Sequence, residues 1–129
     1  MEILKEFQQK FNWCLDIETL LESSEFEALV LTDNNQNIKW VNKGFTKMTG
    51  YPANYTIGKK PNFLQGEQSS SKTRKIIRTQ LQSGHSFKEE IINYRKDGKP
   101  YKCEIKIYPL KDESNEIVHL LALENALDI

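Results

Sequence analysis

An α+β fold is what this chain predicts: one five-stranded antiparallel sheet with short helices on one face and a flanking helix at the N-terminus. Three observations predict it. Two short strand-like runs precede residue 42 and three longer ones follow residue 86. Prolines and glycines cut the stretch between them into short helical pieces. An amphipathic stripe with helical spacing comes before everything else.

Taken in order, residues 2 to 22 read as one helix, with Ile3, Phe7, Cys14, Ile17 and Leu21 on a stripe widened by Leu4, Phe11 and Leu15. Ser23 and Ser24 end it. Ala28 to Thr32 and Ile38 to Val41 are strands joined by the turn Asp33-Asn34-Asn35-Gln36-Asn37. Asn42 caps a short helix carrying Phe45 and Met48, and Gly50 stops it. Pro52 and Pro61 each open a further turn. A longer helix from about Lys72 to Gln82 follows Ser69-Ser70-Ser71, takes its apolar side from Ile76, Ile77 and Leu81, and closes at Gly84.

Phe87 to Tyr94 and Tyr101 to Tyr108 form a hairpin across Lys96-Asp97-Gly98-Lys99. In the second of these strands Cys103, Ile105 and Ile107 face one way and Lys102, Glu104 and Lys106 the other. Pro109 and residues 111 to 115 make the next turn. Glu116 to Glu124 is apolar on both faces, so it is central or covered on its outer side. The expected organisation is a flanking helix over residues 1 to 24 and one domain over residues 25 to 129, with no repeat and no linker to a second domain.

Composition narrows the function classes. The chain has 129 residues, 38% hydrophobic and 28% charged, which suits a single soluble domain with one core. Eighteen basic residues balance eighteen acidic ones, so no net field attracts nucleic acid or anionic lipid. The two cysteines, Cys14 and Cys103, form no metal-binding spacing and suit a reducing cytoplasm. No signal-peptide pattern and no membrane-spanning run are present, so a cytoplasmic location is expected. His85 and His119 have no evident nucleophile or metal partner, no Walker spacing occurs, and no enzyme is expected.

The element order and three stretches resemble the PAS family: Leu31-Thr32-Asp33, then Trp40-Val41-Asn42-Lys43-Gly44-Phe45 with Met48-Thr49-Gly50-Tyr51, then Ile92-Asn93-Tyr94-Arg95-Lys96-Asp97-Gly98-Lys99. The likeness runs from about Ala28 to Asn125. It implies a sensory or protein-interaction module. Within that family Gly58-Lys59-Lys60-Pro61-Asn62-Phe63-Leu64-Gln65 resembles the LOV signature G-x-N-C-R-F-L-Q of flavin-binding blue-light sensors. Pro61 stands in place of the flavin-bonding cysteine and offers no nucleophile, so adduct chemistry is not expected. By the same resemblance the signature asparagine is Lys60 and the phosphate-binding arginine is Asn62. Gln65 is retained, Arg78 stands at a second phosphate-binding arginine, and Asn93 matches a flavin-binding asparagine. The partner asparagine is Cys103, and the glutamine that senses the flavin is Glu124.

Gln65, Arg78, Asn93, Cys103, Glu124 and Lys60 are therefore the candidate pocket residues, weighed against a filled core with a few satisfied polar groups. No cofactor is expected at stoichiometric level, with FMN as the alternative. Lys60 and Glu124 are read either as an ion pair in the emptied site or as an outward lysine and a strand-end carboxylate. Arg74, Lys75 and Arg78 either hold a phosphate or form a solvated basic face. The flanking helix covers Leu121 and Leu123 within the chain or pairs two copies, and a homodimer is expected. A signalling partner protein is expected; nucleic acid and membrane are not. No kinase, cyclase or DNA-binding segment lies in these residues, so the output is expected in a separate protein or beyond Ile129.

Overall fold

The computed structural model describes residues 2–127. Met1, Asp128 and Ile129, which the expected domain bounds include, lie outside the described residues. Five strands form one antiparallel sheet: β1 (Ala28–Asp33), β2 (Ile38–Val41), β3 (Phe87–Tyr94), β4 (Pro100–Lys111) and β5 (Ile117–Leu127), in the order β2-β1-β5-β4-β3. The last strand is therefore central, as its two apolar faces require. It pairs with β1 from Ala28↔Glu124 to Asp33↔His119, and with β4 along nearly its whole length. The expected fold class holds.

β4 runs three residues further than its hydrophobic alternation suggests, and Pro109 lies inside it, opposite Leu120. Pairing to β3 ends at Phe87↔Ile107, so beyond that point β4 has a free edge. A residue without an N–H is tolerated on such an edge.

On the inner face lie α3 (Lys43–Thr49), α4 (Ala53–Thr56), a 3-10 turn (Pro61–Leu64) and α5 (Ser71–Ser83). Asn42 fixes the start of this layer twice over. Its side-chain oxygen accepts from the N–H of Phe45 at 3.0 Å and from the N–H of Leu29 at 2.9 Å, so one amide caps α3 and ties it to β1. Gly44 brings the two backbones together: a β-carbon there would sit 1.8 Å from the carbonyl oxygen of Glu27. Gly50 ends α3 in the left-handed region at φ 84°. Phe45 and Met48, both buried, then pack on Ala28, Val41, Tyr101 and Cys103.

The single helix expected over residues 2 to 22 is in fact two, α1 (Glu2–Phe11) and α2 (Ile17–Glu22). Asn12 breaks the run at φ 55°, and Asp16 caps α2 by accepting from the N–H of Glu18. Cys14 falls in the break and is exposed, although its position is in phase with the helical stripe. Its backbone N–H donates to the carbonyl of Lys111 at 2.9 Å, which docks the break onto the end of β4. The buried side of the pair is Leu4, Trp13, Ile17 and Leu21, against Leu29 and Leu31 of β1 and Leu121 and Leu123 of β5. Both β5 leucines are fully buried. The need for cover that motivates a homodimer is thus met inside one chain.

Candidate functional site

The inner face has two unlike halves. Under α3 it is filled. Under α5 it keeps a cavity of about 110 Å³. The sheet supplies one wall: Val30 and Thr32 of β1, Ile91 and Asn93 of β3, Ile105 and Ile107 of β4, and Leu120, Ala122 and Glu124 of β5. Ile77 and Leu81 of α5 face them, and Gln36, Pro61, Asn62, Leu64 and Gln65 complete the lining. The space exists because of how α5 is built. Capped by the Ser70 hydroxyl at Thr73, it is a regular helix with no fully buried residue. Ile77 and Leu81 are half-buried, and Ile76 lies outside at 38% exposure.

Glu124 is the one ionisable side chain among the described lining residues. It is 7% exposed, and the hydrogen bond found for its carboxyl is the weak thiol of Cys103, at 3.8 Å. Burial pushes the carboxyl up to about 7, with the thiol bond opposing. The Cys103 thiol is itself raised, by burial first and then by the facing carboxyl. A thiol held protonated is a poor nucleophile, so Cys103 behaves as a small apolar residue. Tyr101, which pairs with Asn93 across β3 and β4, has its hydroxyl buried without a protein partner. Burial raises it beyond the usual phenol range, and Cys103 and Glu124 add to that. The Arg95 guanidinium lies over the Tyr101 ring at 4.3 Å.

Three of the six candidates, Gln65, Asn93 and Glu124, line the cavity. Cys103 backs it through Glu124. Two pocket candidates, Lys60 and Arg78, do not line the cavity. Lys60 is exposed and donates to the backbone carbonyl of Asn35 at 2.7 Å, so of the two readings the outward lysine holds and the ion pair does not, while Glu124 is buried and not in water at a strand end. As the residue just before the 3-10 turn, Lys60 has a nearby carbonyl to meet and no need to desolvate its ammonium. Arg78 is exposed on the outer side of α5 with Lys72 and Lys75, because the helical period that points Ile77 and Leu81 inward turns it away. Arg74 reaches the Gly66 carbonyl instead, at 3.3 Å. Sequence reasoning missed Thr32 and Gln36. Thr32 was findable, since it alternates with Val30 on the inner side of β1. Gln36 owes its place to a left-handed turn position at φ 67°.

The opposite face carries a second polar contact that the sequence left unpaired. The Trp13 indole N–H donates to Nδ1 of His119 at 3.1 Å, and Phe7 and Phe11 pack edge-on against the same imidazole. Burial lowers the His119 pKa; Asp33 opposes and Lys39 adds to the lowering. Among the described residues no group of three His, Cys, Asp or Glu side chains is placed to hold a metal, and no helix is long and apolar enough to cross a membrane.

A family profile described as PAS domain matches residues 27–125. The Blue-light-activated histidine kinase of Brucella anthropi is 36% identical over 85 residues, covering 66% of this chain and 17% of that protein. Phototropin-1A of Oryza sativa subsp. japonica is 32% identical over 93 residues, covering 72% of this chain and 10% of that protein. This chain therefore spans only a small part of the curated relatives it matches. Among solved structures, one described as "Flavin Analogue Sheds Light on Light-Oxygen-Voltage Domain Mechanism" superposes with a TM-score of 0.78 at 25% identity, covering 87% of this chain and 84% of that one.

Proposed function

The chain belongs to the PAS domain family, and from that premise we propose that it is a sensory module, not an enzyme, which binds a small molecule between α5 and the sheet and works without cysteinyl-flavin chemistry. One observation carries this reading. β5 turns Leu120, Ala122 and Glu124 toward the cavity and His119, Leu121 and Leu123 toward α1 and α2. A ligand pressing on one side of this central strand changes the packing of the N-terminal helices on the other. Those helices would deliver the signal, to a partner protein or to a second copy of the chain, in the cytoplasm. Among the described lining residues Glu124 is the one ionisable group, and the Cys103 thiol beside it is held protonated, which supports binding over catalysis.

FMN binding is the second reading, and the blue-light relatives together with Gln65 and Asn93 on the cavity wall favour it. The residues fit the group in part. The apolar walls and the amides suit the edge of a flat heterocycle. Among the described residues no cation lines the cavity to meet a phosphate, since Asn62 is neutral and Arg78 points away. A three-ring flavin also needs more room than about 110 Å³. Mass spectrometry of small molecules released from freshly purified protein, with its visible spectrum, tests the choice. We expect a colourless protein, and equimolar flavin would establish the second reading.

A further inference from the structure

The ligand class follows from the charge of the cavity, given the reading above that the cavity is a ligand site. Apolar side chains line the space from both sides, Ile77 and Leu81 from α5 and Ile91, Ile105 and Ile107 from the sheet. At about 110 Å³ it suits a single ring. Among the described lining residues there is no lysine, arginine or histidine, and the one ionisable side chain is a carboxyl that is 7% exposed. Its weak thiol contact leaves strong acceptor capacity unused. A buried carboxyl so placed lacks a partner with N–H donors and positive charge.

We propose that the cavity takes a one-ring aromatic cation, an amidine or a protonated amino-heterocycle, whose N–H edge pairs with the carboxylate of Glu124. The ring lies between α5 and the sheet, and the amide of Asn93 flanks its polar end. Near and below neutrality, where the empty site holds a proton on part of the Glu124 population, binding releases it and the N–H donors of the ligand replace it. The groups around Glu124 do not compete for that role. Cys103 and Tyr101 on β4 stay protonated through burial, and Arg95, just after β3, lies over the Tyr101 ring with its Nη1 buried and unpaired, outside the cavity lining. Glu27, ahead of β1, spends its carboxylate on the N–H of Ala126. α5 and the 3-10 turn contribute only neutral side chains to the lining.

Benzamidine and benzamide have the same shape and differ in charge, so titrating both into the full chain by calorimetry isolates the inference. At about pH 8 benzamidine should bind at least about tenfold tighter than benzamide, and the preference should collapse near pH 5.5 as Glu124 takes up its proton. Heats measured near neutrality in buffers of different ionisation enthalpy should report proton release with benzamidine and none with benzamide. Glu124→Gln should bind the two compounds alike, with its fold checked by circular dichroism. The pH profile of the unaltered chain decides the question even if that variant fails to fold. Equal binding of the two compounds at high pH would overturn the cation class and leave the ligand site standing. Binding of neither compound would overturn both.

Discussion

The two faces of the sheet are packed to different ends. On the outer face Leu31, Leu121 and Leu123 are wholly shielded by α1 and α2, and the buried polar group there, His119, has its indole donor. On the inner face under α5 the same strand presents Leu120, Ala122 and Glu124 to an incompletely filled space. The first arrangement maximises contact and leaves His119 matched. The second keeps room and an ill-matched carboxyl. The filled layer and the cavity are thus separated by one residue of alternation along β5.

The sharpest way to break this contrast is to remove the outer layer. A chain starting at Ser24 should expose Leu121 and Leu123, lose cooperative folding and aggregate, measured by light scattering and thermal melts. If it stays monomeric and equally stable, the N-terminal helices are not the stabilising half. A finer comparison uses equal truncations on the two faces. Leu123→Ala should cost about 3 kcal/mol in urea unfolding, because a closely packed site leaves a new void. Ile107→Ala, half-buried on the cavity wall, should cost about 1 kcal/mol, since part of its surface already faces empty space. Equal losses would mean that the two faces are packed alike.

Acidity gives the faces opposite signs. The folded pKa of Glu124 is raised from 4.5 to about 7, so the unfolded chain loses this proton first as pH rises. Its contribution is fully present below 4.5 and is lost as pH rises through about 7, on the order of 3 kcal/mol at most. The folded pKa of His119 is depressed below 6.5, so its contribution is fully present above 6.5 and declines as pH falls toward the folded value. Urea unfolding from about pH 4 to pH 8 should show the first slope vanish in Glu124→Gln and the second in His119→Gln, which keeps an acceptor for Trp13. Unchanged profiles would place both groups in water in the folded state.

Local signals made most of the fold legible. The Asp33–Asn37 turn, the Asn42 cap, the Gly50 stop and the Asp97-Gly98 hairpin all act over a few residues, and each sits where the sequence puts it. The break at residues 12 to 16 was hidden because Cys14 keeps the helical phase although its backbone bonds to β4, a contact no local pattern encodes. The site was legible at Gln65, Asn93 and Glu124 through the family resemblance, and the structure turns all three to the cavity. It was illegible at Lys60 and Arg78. A long cationic side chain chooses between a cavity and water by desolvation cost, and nothing in its position along the chain reveals the choice.

Gly44 carries a consequence for how such a chain can diverge. Any side chain at this position would drive its β-carbon into the Glu27 carbonyl, so a distance between two backbones dictates the residue irrespective of what the cavity holds. Lys60, Asn62 and Arg78 answer to no comparable distance: two are exposed cations and one a neutral amide, and each can be exchanged without moving the backbone. A substitution at Gly44 therefore strains the joint between α3 and β1 whatever the cavity holds, whereas substitutions at Lys60, Asn62 and Arg78 leave that joint untouched.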